Sequence, residues 1–139
     1  VQTLTDTLRE QHRTVEHLAS LLTTALHHDD RPAIRAALDA FRDALVAHLT
    51  LEDQQLYPQL LSAVEPRSEP ARIARTFASN MQRVSAGLLD FLERHTGDAF
   101  DLLALRREWR EALSVLTGRM QSEERLLYPM YDQRFGPRP

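Results

Sequence analysis

His48 and Glu52 stand four residues apart. On a helix that spacing brings the two Cβ atoms to about 5–6 Å on one face, so an imidazole and a carboxylate can hold one cation together. The spacing alone decides little, because such pairs are commonly surface contacts. Their setting says more. Both fall on an apolar stripe, where a polar group without a partner costs about 1–3 kcal/mol. His12 and Glu123 fall at comparable inward positions of other periodic segments. Side chains converging from facing helices are how helical bundles build non-haem metal sites. The set His12, His48, Glu52 and Glu123 offers nitrogen and oxygen only. The chain has no cysteine, which excludes a thiolate site, a disulfide framework and a thiol nucleophile. Imidazole with carboxylate suits iron or manganese, with zinc possible.

The elements that must position these four residues are legible in the apolar periodicity. Leu4, Leu8, His12, Val15, Leu18, Leu22 and Leu26 recur at steps of three and four, which predicts one face of a first helix. The run HHDDRP closes it and opens a second, with Pro32 at the tolerated first turn. The second stripe is Leu38, Phe41, Leu45, His48, Glu52 and Leu56, and Pro58 with EPRSEP at 65–70 is expected to end that helix. A third runs through Ile73, Phe77, Met81, Val84, Leu88 and Phe91 to near Gly97. The fourth runs through Leu102, Leu105, Trp109, Leu113, Leu116, Met120, Glu123 and Leu127 to Tyr128-Pro129. Four such helices joined by short loops predict an all-α, antiparallel up-down four-helix bundle, one domain over residues 1–139.

The halves repeat. HLTLEDQQLYP at 48–58 and RMQSEERLLYP at 119–129 superpose at an offset of 71 residues, pairing Glu52 with Glu123, Leu56 with Leu127, Tyr57 with Tyr128 and Pro58 with Pro129. The bundle is therefore expected to be a duplicated helical hairpin, with Arg119 where the first half has His48. A buried guanidinium keeps its proton. Arg119 is thus expected to pair with Glu52 or Glu123, and a metal-free reading follows in which it joins the carboxylates and histidines in one core network.

EQH at 10–12, HLTLEDQQLYP at 48–58 and EERLLYP at 123–129, set on four helices, resemble the hemerythrin-like HHE cation-binding family from about Leu4 to Tyr131. The resemblance implies a non-haem iron site of one or two ions that meets dioxygen, nitric oxide or peroxide. It carries over to His12, His48, Glu52 and Glu123 as ligands. The sequence departs from the family pattern at Arg119 and in the third helix, which has no histidine between Ile73 and Leu92. Asn80 or Ser85 is expected at that missing position.

The remaining features narrow the function. Seventeen basic residues, all arginine, are dispersed against 20 acidic ones for a net charge of −3, so neither nucleic acid nor a membrane surface is an expected partner. No apolar run approaches the length of a membrane span and no leader is visible, which predicts a cytoplasmic protein. His17, His27, His28 and His95 are expected in solvated or capping roles, with His17 the reserve ligand. Met81, Met120 and Trp109 read as core, and Tyr57 and Tyr128 as packing at the bundle end. Two function classes follow. One is an iron protein that senses, carries or detoxifies a small oxidant, and whether it is also an enzyme is open. The other is a metal-free bundle serving as a regulatory or interaction module, with another protein or a second copy as partner.

Overall fold

A computed structural model describes residues 2–97 and 99–136. The chain folds as an antiparallel up-down four-helix bundle, and among the described residues there is no strand. The first rod is α1 (Leu4–Leu26), opened by a capping box in which Thr3 and Asp6 satisfy each other's backbone amides. Asp30 caps α2 (Arg31–Leu51) through the Ala33 amide, with Pro32 in its first turn as the sequence predicts. Ser68 caps α4 (Glu69–Arg94), and Asp101 caps α5 (Leu102–Ser122) by accepting from the Leu103 and Ala104 amides.

Tyr-Pro does not end the second and fourth rods. A π-helical turn, Glu52–Leu56, follows α2 and leads directly into α3 (Tyr57–Ser62). A second π turn, Glu123–Leu127, follows α5 and leads into α6 (Tyr128–Phe135). The second rod runs past Pro58 but ends at Ser62, ahead of EPRSEP. The fourth runs on to Phe135, beyond the Tyr-Pro where the sequence reading ended it, and the widened turn explains why both pass their proline. Within it the Tyr57 amide reaches back to the Glu52 carbonyl, and Tyr128 to Glu123, so the α ladder is already broken just ahead of Pro58 and Pro129. Each proline stands at the start of a new α segment, where its missing donor costs little.

The wide turn also changes what faces inward. Glu52, Leu56 and Tyr57 are all buried in one rod, as are Glu123, Leu127 and Tyr128 in the other. Above and below this level lie two apolar clusters. The larger centres on Leu22, Ile34, Leu38, Phe41, Leu45, Leu105, Trp109 and Leu116. The smaller gathers Leu8, Leu56, Leu60, Leu127 and the three tyrosines. Between them lies a polar layer of His12, His48, Glu52 and Glu123.

Candidate metal centre

His12 comes from the third turn of α1, His48 from the last turn of α2, and Glu52 and Glu123 each from the first position of a π turn. All four are at most 1% exposed. One ligand atom from each lies within 4.8 Å of every other. His12 Nε2 is 3.0 Å from His48 Nε2 and 3.1 Å from Glu123 Oε1. His48 Nε2 is 3.5 Å from Glu52 Oε1 and 3.8 Å from Glu123 Oε1. Ligands held at about 2.1 Å from one ion are roughly 3.0–3.4 Å apart along the edges of an octahedron or tetrahedron. The two separations at His12 Nε2, 3.0 and 3.1 Å, fall in that range, and those from His48 Nε2 to the carboxyls, 3.5 and 3.8 Å, lie slightly beyond it.

The outer nitrogens of both imidazoles face a different set of groups. His48 Nδ1 is 2.9 Å from Gln11 Oε1, so its proton is held outward and the Nε2 lone pair faces the cluster. His12 Nδ1 lies 3.6 Å from Glu124 Oε2. Tyr128 donates its hydroxyl proton to Glu52 Oε2 at 2.9 Å, and its oxygen sits 3.0 Å from His12 Nε2. Gln11, Glu124 and Tyr128 are thus site residues that the sequence reading did not assign. Gln11 and Glu124 each adjoin a predicted ligand, and that adjacency was the available signal.

Without a cation this layer is poorly satisfied. Around His12 Nε2 three polar atoms compete for at most one proton. Glu52 Oε1, Glu123 Oε2, His12 Nδ1 and the Tyr57 hydroxyl are buried with no hydrogen-bond partner. Burial, and then the neighbouring Glu123 carboxyl, push Glu52 well above the usual carboxylate range. Burial pushes His48 down to about 4 against the pull of Glu52, with His12 adding to the fall. Burial also acts to lower His12, but the Glu123 hydrogen bond and the Glu52 and Glu124 carboxyls together hold it above its ordinary value. Tyr57 and Tyr128 are raised by burial and by the same two carboxyls, so both hydroxyls keep their protons. Two buried carboxyls and two inward-facing imidazoles with unspent acceptors fit a divalent cation bound by nitrogen and oxygen.

The second hairpin does not complete a symmetric site. Arg119 is half-buried and forms no ion pair or hydrogen bond among the described residues, so the expected Arg119–carboxylate network is not present. Neither Asn80 nor Ser85 joins the cluster. Asn80 Oδ1 accepts from Arg83 at 3.0 Å, and Ser85 donates to the Met81 carbonyl at 2.6 Å. The buried positions of α4 within its helical span are Ala71, Ala74, Met81, Leu88, Phe91 and Leu92, so this helix turns no imidazole or carboxyl into the layer. Met81 and Met120 belong to the apolar core, as does Trp109. His17, His27 and His28 are exposed, and His17 is not among the clustered residues. His95 takes the capping role of the two expected for it, as the C-cap of α4, but it is buried rather than solvated, with Nε2 2.5 Å from Glu108 Oε2.

Among the described residues, no helix is long and apolar enough to cross a membrane. No curated protein and no solved structure matches the chain. Residues 3–131 match the family described as Hemerythrin HHE cation binding domain.

Proposed function

Since the chain belongs to the hemerythrin HHE cation-binding family, we propose that it holds one non-haem iron ion through His12, His48, Glu52 and Glu123. Manganese or zinc is the alternative occupant of the same donors. The observation that carries this reading is the inward presentation of both Nε2 atoms, 3.0 Å apart, beside two buried carboxyls with unpartnered oxygens. Bound iron would supply a Lewis-acidic, redox-active centre for dioxygen, nitric oxide or peroxide.

The chain's own residues do the rest. Gln11 fixes the His48 tautomer, Glu124 sits behind His12, and Tyr128 holds Glu52 by a donated proton. Such outer partners orient ligands and raise their basicity. The two apolar clusters keep water away from the layer on both sides. A single ion is favoured over two. Paired metals sit about 3.5–4 Å apart and need bridging and terminal ligands from both halves, and the second half offers Arg119 where the first has His48, with no histidine in α4.

Elemental analysis of the protein reconstituted anaerobically with ferrous iron, beside His48→Ala and Glu52→Ala, tests the reading. One iron per chain, lost in both variants, is expected. Two per chain would overturn the single-ion reading, and none would overturn metal binding itself.

A further inference from the structure

A groove of about 870 Å3 lies along the seam between α1 and α5, well inside the size range of small-molecule sites. Leu26, Trp109 and Leu113 give it an apolar floor, and Arg106 and Arg110, one helical turn apart, stand over one end with His27 beside them. No Asp or Glu lines it, on a chain whose net charge is −3. Arg106 is anchored: its Nε donates to the Leu26 carbonyl at 2.6 Å, at the end of α1. Among the described residues no hydrogen bond or ion pair takes the terminal nitrogens of Arg106 or any nitrogen of Arg110. Trp109 spends its one donor on Thr23 at 2.9 Å, so the floor itself asks for nothing polar. A smaller pocket of about 330 Å3 shares Thr23, Leu113 and Thr117 with the groove and extends the seam to Met120, one turn short of Glu123.

We infer that this groove binds a small amphipathic carboxylate. The head group takes the unspent forks of Arg106 and Arg110, which match a carboxylate's planar geometry. The apolar tail lies along Leu113 toward Met120. The groove contains none of the four candidate metal ligands, so the inference stands apart from the iron reading.

Decanoate, kept below its micelle concentration, is the probe, and Trp109, the chain's one tryptophan, is the reporter. Titration of the full chain should give a saturable fluorescence change with a Kd on the order of 10–100 µM. Arg110→Gln leaves the Arg106 tie to α1 intact and should weaken binding at least tenfold, and neutral decanol should bind the parent at least tenfold more weakly than decanoate. Gly118 lines the groove, and a Cβ placed there meets nothing within 4 Å. Gly118→Leu should therefore fold with full helicity yet lose the response. The proposal fails if the parent shows no saturable change up to about 1 mM. It fails equally if decanol matches decanoate, or if either variant binds as the parent does.

Discussion

Replacing Glu123 by glutamine should raise the stability of the metal-free protein and remove most of the stabilisation that bound metal confers. In the metal-free chain Glu123 Oε2 and Glu52 Oε1 are buried acceptors without donors. Glutamine keeps one oxygen for His12 Nε2, now 3.1 Å from Glu123 Oε1, and turns the other into a donor that can serve Glu52. Relieving one or two such groups is worth about 1–3 kcal/mol. At roughly 4 °C per kcal/mol for a domain of this length, Glu123→Gln should raise the metal-free Tm by about 4–12 °C. With metal at a hundredfold excess over Kd, the parent gains about 2.7 kcal/mol, or roughly 10 °C. The variant, lacking one anionic ligand, should show little of that gain. Thermal melts by circular dichroism in chelator and in ferrous iron, both anaerobic, measure the four values. A metal-free variant that melts below the parent would refute the reasoning. Glu123 would then be a satisfied structural partner, and the layer a core network with no cation in its design.

Two further outcomes follow from the contacts around this layer and at the far end of the bundle. Tyr128→Phe removes the proton donated to Glu52; chelator competition should show metal affinity reduced about 10–100-fold with helicity unchanged. Glu108 is held below the usual carboxylate range first by its hydrogen bond from His95 and then by Arg94. A depressed carboxyl stabilises the fold above its unfolded value, near 4.3, and that stability is lost as pH falls through the folded value. Glu108→Gln should therefore lower Tm at pH 7, with the gap to the parent closing below about pH 4, as melts across pH 3–7 would record.

The four candidate ligands and the four rods were legible because both rest on local periodicity. Buried His12, His48, Glu52 and Glu123 break the apolar stripes at inward positions, and the step of three and four that names Leu8 or Leu45 as core names them too. What surrounds them was less legible. Arg119 sits at the repeat position of His48, but a half-buried arginine can turn its long side chain outward, and periodicity does not report the torsions that do so. The third-helix position was not legible, because with no histidine there the apolar stripe has no polar break to mark it, and neither Asn80 nor Ser85 joins the cluster. The π turns left a trace in the proline, which reads as a stop when only the α ladder is considered.

The two π turns fall at the same point of each half, opening on Glu52 and on Glu123. The same widening in both halves delivers one carboxyl each to a single layer, while the imidazoles do not repeat: His12 and His48 both come from the first hairpin. A cation held by all four would therefore lie nearer the first hairpin, and the second would reach it through one carboxyl alone.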